Sequence, residues 1–112
     1  MSDWHPIAVP DDLSDPGTCG VSLALPERTV DIILLRTSGS LLAYLNRCPH
    51  TGVNLEWQPN RFLDLTGHYL QCATHGALFR LKDGVCVRGP CVGQHLSSVP
   101  LRIESGKWWV QI

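Results

Sequence analysis

The sequence predicts an all-β protein, an antiparallel β-sandwich with a small insert, on three observations. Short apolar runs recur along the chain with turn-forming residues between them. No stretch keeps apolar residues at helical spacing for three turns. Asp83-Gly84 stands between two apolar runs, and Asp-Gly is among the stronger hairpin signals.

The elements follow in order. Trp4 to Val9 is a short apolar stretch ending at Pro10, as an edge strand would be. Asp11-Asp12 and Ser14-Asp15-Pro16-Gly17 form a polar, turn-rich connection. Val21 to Leu25 is the next strand, closed by Pro26. Val30 to Leu35 is almost continuously apolar, the mark of a strand buried on both faces. Thr37-Ser38-Gly39-Ser40 turns the chain into Leu41 to Leu45, the partner strand of a hairpin. Arg61 to Leu65 is predicted as a short strand, and Thr66-Gly67 as a turn leading to Tyr69-Leu70-Gln71. Ala77 to Leu81 and Val85 to Val87 flank Lys82-Asp83-Gly84 as a second hairpin. After an aperiodic loop from Gly89 to Pro100, Leu101 to Glu104 and Trp108 to Ile112 make a closing hairpin. Trp108 and Trp109, being adjacent in a strand, are expected to face opposite sides, one core and one surface.

Composition narrows the function. The 112 residues suit one domain, and 44% apolar content with net charge −1 describes a globular chain without a nucleic-acid footprint. No run approaches the roughly 18 apolar residues of a membrane span, and the first residues lack a secretory signal. A cytoplasmic, membrane-free protein is the expectation. Acids gather early, at Asp3, Asp11, Asp12, Asp15, Glu27 and Asp31. Arg47, Arg61, Arg80, Lys82 and Arg88 follow later, a split that suits a solvated face or an orienting one.

Two stretches carry the chemistry: Cys48-Pro49-His50 and Cys72-Ala73-Thr74-His75. Two thiols and two imidazoles suffice for a metal centre. Zinc is one candidate, although zinc modules usually pair two Cys on one knuckle and two His on a helix. The spacing also suits a cluster in which one iron takes two Cys and the other two His.

Here the sequence resembles the Rieske family, whose two cluster loops carry this Cys-His order and whose second loop continues as His75-Gly76 does. The resemblance covers most of the chain and extends to Gly89-Pro90, where the family has a Pro-rich cover over its cluster. It implies the Rieske fold and one [2Fe-2S] cluster held by Cys48, His50, Cys72 and His75 in a cluster-binding part running roughly from Asn46 to Leu81. It further implies a non-enzymatic one-electron carrier, the ferredoxin of a ring-hydroxylating dioxygenase system. Its partners would be a flavin reductase and a terminal oxygenase, and it would act as a monomer. The small subunit of an assimilatory nitrite reductase is the related alternative. A structural zinc-binding interaction module is the alternative of another class.

High-potential relatives have a Ser hydroxyl just after the His-Gly of the second loop and a Tyr hydroxyl two residues on, and they bridge their loops with two further Cys. This chain has Ala77 and Phe79 there, and no spare Cys in Thr51-Gly52-Val53 or Ala73-Thr74. A potential at the low end of the Rieske range is therefore expected. Cys19, Cys86 and Cys91 are left over and suggest no disulfide framework. Cys91 reads as a small buried residue, and redox sensing by the spare thiols as a weaker alternative. His5, His68 and His95 have no Cys at ligand spacing and read as structural or surface residues. Trp57, between the ligand loops, is consistent with packing on the insert or with facing a partner.

Overall fold

The computed structural model describes residues 3–49, 51–56 and 58–112. Among them are nine strands and no helix. The strands form three antiparallel sheets, ordered β1-β9-β8, β2-β3-β4 and β5-β6-β7. Their ranges are β1 Trp4–Ile7, β2 Gly17–Ala24, β3 Thr29–Thr37, β4 Ser40–Leu45, β5 Tyr69–Gln71, β6 Leu78–Arg80, β7 Cys86–Arg88, β8 Leu101–Glu104 and β9 Lys107–Gln111.

The middle of β3 organises the packing. Ile32, Ile33, Leu34 and Leu35 are all 0% exposed, because both faces of their sheet are covered. Strand alternation sends Ile32 and Leu34 into one core with Ala43, Val99 and Val110. It sends Ile33 and Leu35 into another with Tyr44, Leu55, Phe62, Leu70, Phe79 and Leu96. The sheet of β1, β8 and β9 closes the first core, and the third sheet with its flanking loops closes the second. The apolar run thus has no polar alternates because it lies between two layers. Each buried Ile, Leu, Val or Phe side chain among these stabilises the fold by roughly 1.5–3 kcal/mol.

The expected hairpins are present: β3–β4 across Ser38-Gly39, β6–β7 across Asp83-Gly84, and β8–β9 across Ser105-Gly106. Three expectations need correction. Strand β2 starts at Gly17 rather than Val21, since Gly17 to Gly20 pair with Arg36 to Ile33 of β3 despite their poor apolar pattern. Arg61 to Leu65 is not a strand and makes only the isolated bridges Gln58↔Arg61 and Leu63↔Leu70. Asp64 bends the chain there, accepting from the Thr66 hydroxyl and from the backbone N–H of His68 and Tyr69. Trp108 and Trp109 do not divide into core and surface, because both are half-buried. Lys107 stands 5.9 Å from the Trp109 ring centroid and Arg102 4.3 Å from that of Trp4, so cationic side chains cover part of this sheet's aromatic surface.

Tyr44 links the second core to pH. Its hydroxyl donates to the Leu81 carbonyl at 2.7 Å, and burial, aided by the charge of Asp83, pushes its pKa up to about 12. The folded state therefore holds this proton more tightly than the unfolded chain does. The stabilisation is complete below about pH 10 and is lost as pH rises to about 12, a change of roughly 3 kcal/mol. Urea unfolding of Tyr44→Phe across that window is expected to lack this component. An alkaline loss equal to that of the parent would refute the assignment.

Candidate metal centre

Strand β4 ends at Leu45, from which Asn46 and Arg47 lead to Cys48, while β5 ends at Gln71 and delivers Cys72. The two loops that follow repeat one backbone pattern. In the first, Cys48 N–H donates to the Val53 carbonyl at 2.7 Å and Gly52 N–H to the Cys48 carbonyl at 2.7 Å. In the second, Cys72 N–H donates to the Ala77 carbonyl at 2.9 Å and Gly76 N–H to the Cys72 carbonyl at 2.9 Å. Each loop closes through a glycine at positive φ, 78° at Gly52 and 68° at Gly76, where a Cβ would strain the turn. The common signal, Cys followed by Gly four residues on, is legible in the sequence but is overshadowed there by the unequal Cys-His spacings.

A polar staple joins the loops. Asn46, 5% exposed, donates its backbone N–H to the Asp31 carbonyl and its side-chain amide to Glu56 Oε1. Its Oδ1 accepts the Leu55 N–H at 2.7 Å, and the Leu55 carbonyl accepts from Ala73 N–H in the second loop at 2.9 Å. Asn54 adds a hydrogen bond to Asp31, whose carboxyl is held below the usual range by Ser22 and Asn54. Asn46→Ala leaves the buried Leu55 N–H unsatisfied and is expected to cost about 1–3 kcal/mol in urea unfolding. A cost below about 0.5 kcal/mol, the level of an ordinary surface change, would show that the staple carries no weight.

The sulfurs of Cys48 and Cys72 meet inside this frame. Both residues are nearly fully buried, at 2% and 1% exposure, and Cys72 is within hydrogen-bonding reach of Cys48. Burial pushes the Cys72 thiol up. The backbone N–H groups of Thr74 and His75 at its sulfur pull the other way, and the neighbouring Cys48 adds to the rise. His75 is exposed, as are Thr51 and Gly52. His50 and Trp57 lie outside the described residues. The second loop is backed by Ala77 and Phe79, 1% and 0% exposed.

The other cysteines separate. Cys19 belongs to the first core. Cys86 and Cys91 lie in the same core as Cys48 and Cys72, with the Cys91 thiol donating to Cys86 Sγ at 3.0 Å. Burial, followed by the hydrogen bond to and charge of Cys86, pushes Cys91 up to about 12. Sequence reasoning found Cys91 buried but missed its pairing, because no spacing rule brings a strand residue and a loop residue together. His68 and His95 are exposed, in keeping with surface roles.

The Rieske [2Fe-2S] domain family matches residues 3–103. The chain belongs to that family. A Rieske-type [2Fe-2S] cluster is accordingly its cofactor, and the donor chemistry fits: two buried sulfurs facing each other, with backbone N–H groups directed at one of them, suit thiolates bound to iron. Among curated proteins, the chain is similar to Oxidoreductase NdmD of Pseudomonas putida, 29% identical over 119 aligned positions covering 100% of this chain. The chain spans only 19% of that relative's length. Among solved structures, it is similar to the ferredoxin of carbazole 1,9a-dioxygenase from Nocardioides aromaticivorans IC177, at 17% identity and TM-score 0.68, covering 96% of this chain and 95% of that one. It is also similar to the terminal oxygenase of carbazole 1,9a-dioxygenase from Novosphingobium sp. KA1, at 23% identity and TM-score 0.74, covering 96% of this chain and 29% of that one. These likenesses establish a shared Rieske fold. No helix among the described residues is long and apolar enough to cross a membrane.

Proposed function

We propose that this Rieske protein is a one-electron carrier whose cluster is held by Cys48, His50, Cys72 and His75. The observation that carries the reading is the pair of matching loops that place two sulfurs together in the core while His75 remains exposed. When bound, the cluster supplies one reversible electron, at a potential that histidine ligation sets above that of all-cysteine clusters. The chain's residues do the remainder. Cys48 and Cys72 give anionic donors on the buried side, and Ala77 and Phe79 keep water from the inner side of the second loop. His75 and its exposed neighbours give a partner a short path inward. The Gly89-Pro90 cover bears on the second loop, since a Cβ at Gly89 would lie 2.8 Å from the Ala77 Cα.

In this reading the chain is one domain, 1–112, with the cluster-binding part at roughly 46–81. It takes electrons from a flavin reductase and passes them to a terminal oxygenase, as a monomer. The solved oxygenase–ferredoxin complexes of carbazole dioxygenase, which share the fold, support this setting. Five cysteines, none of them in a disulfide, suit the cytoplasm. A second reading is favoured by the alignment to NdmD: an electron-transfer domain within a larger oxidoreductase. The assimilatory nitrite reductase subunit has no comparable observation behind it. A structural zinc module is disfavoured by the family match.

Coulometric titration tests the proposal. One electron per chain, taken up reversibly and delivered to an oxygenase without any substrate being turned over by this chain alone, is expected. Uptake of no electron, with zinc in the protein, would overturn it.

A further inference from the structure

We propose that Cys86 and Cys91 are a site of oxidative modification: a buried dithiol that hydrogen peroxide closes to a disulfide. The two sulfurs are 3.0 Å apart and already joined by a hydrogen bond in which Cys91 donates. Cys86 in turn donates to the Arg88 carbonyl at 3.2 Å. Closure needs the sulfurs to approach by only about 1 Å. The backbone around them is folded to hold this approach. Cys86 N–H donates to the Gln94 carbonyl at 2.8 Å, and Gln94 N–H to the Cys91 carbonyl at 2.9 Å.

Each residue is 1% exposed, yet the cover is one layer thick. Residues 87–90 and 92–95 are all exposed, so the pair lies directly beneath a surface loop. An oxidant close to water in size can reach it where a bulky thiol reagent cannot. Neither residue is among the cluster ligands proposed above, although both share a core with Cys48 and Cys72.

The chemistry balances. Cys86 Sγ attacks one peroxide oxygen, the O–O bond breaks, and the thiol proton leaves with the second oxygen as water, giving a sulfenic acid. Cys91 Sγ then attacks that sulfur, an S–S bond forms, the S–O bond breaks, and hydroxide takes the Cys91 proton as water. Two thiols and one peroxide give one disulfide and two waters.

Trypsin separates the pair by cutting after Arg88, which makes the linkage readable. Holo-protein exposed to hydrogen peroxide is alkylated under denaturing conditions, digested and mapped, with iron content and visible absorbance followed in parallel. The expected result is a disulfide-linked pair of peptides, 83–88 and 89–102, forming while most of the cluster remains and disappearing on treatment with a reducing dithiol. In Cys91→Ser, Cys86 is expected to carry a sulfenic acid or an adduct instead. Full alkylation of both cysteines in the parent after exposure would overturn the proposal. So would a linkage confined to Cys48 and Cys72 following cluster loss. Neither result would bear on one-electron transfer, which coulometric titration of the untreated protein reports separately.

Discussion

Cys72→Ser is expected to strip the protein of its cluster and to loosen residues 46 to 81 while the remaining layers stay folded. The hydroxyl cannot replace a buried thiolate whose charge offsets that of iron, and losing one of the four proposed ligands removes the tie between two largely polar loops. Backbone bonds of the loop, from Cys72 N–H to Ala77 and from Gly76 N–H to Cys72, do not involve the sulfur. They are too few to hold the region alone. The core of Ile32, Leu34, Ala43, Val99 and Val110 lies on the opposite face of the central sheet and contains no proposed ligand. Iron and sulfide assays together with amide hydrogen exchange check this. Near-complete loss of iron with faster exchange confined to the loops and third sheet is expected. Retained iron would remove Cys72 from the ligand set, and collapse of the first core would show that the layers are not independent.

The second large effect concerns potential. Where high-potential relatives donate hydroxyl hydrogen bonds, this chain has Ala77 and Phe79, both buried and both unable to donate from their side chains. Cys86 and Cys91 offer no substitute, since the Cys86 thiol donates to the Arg88 carbonyl and the Cys91 thiol to Cys86 Sγ. Protein-film voltammetry is expected to give about −150 mV, the low end of the Rieske range. Ala77→Ser restores one donor. If its bond strengthens by roughly 1.4 kcal/mol on reduction, the potential rises by about 60 mV. A parent value above about +100 mV would contradict the account of the inner wall. No rise in Ala77→Ser, with the serine shown to be accommodated, would contradict the role given to that position.

Much of the fold was legible because β3 announces itself. A run such as Ile32 to Leu35 has no polar alternate only when both faces are covered, and the turns at Ser38-Gly39, Asp83-Gly84 and Ser105-Gly106 carry their own chemistry. Strand β2 was harder to bound, since Gly17 to Gly20 gain their pairing from β3 and not from a pattern of their own. Arg61 to Leu65 misled in the other direction: Phe62 is buried but Leu65 is fully exposed, and Asp64 diverts the backbone between them. At the site, the ligand types stood out, while the geometry that joins them did not. Asn46 looks like any polar residue after a strand until its amide is found bridging to Leu55 and Glu56. The Cys86–Cys91 contact depends on a loop returning over β7, which no local spacing encodes.

The most direct test of the cluster assignment is pulsed electron paramagnetic resonance of the reduced protein grown with nitrogen-15 histidine. Two histidine nitrogens coupled to the cluster are expected, falling to one or to no cluster in His75→Ala. A reduced cluster without histidine coupling would mean that cysteines alone hold it, with Cys86 and Cys91 beside Cys48 and Cys72 in the same core, and would contradict the account.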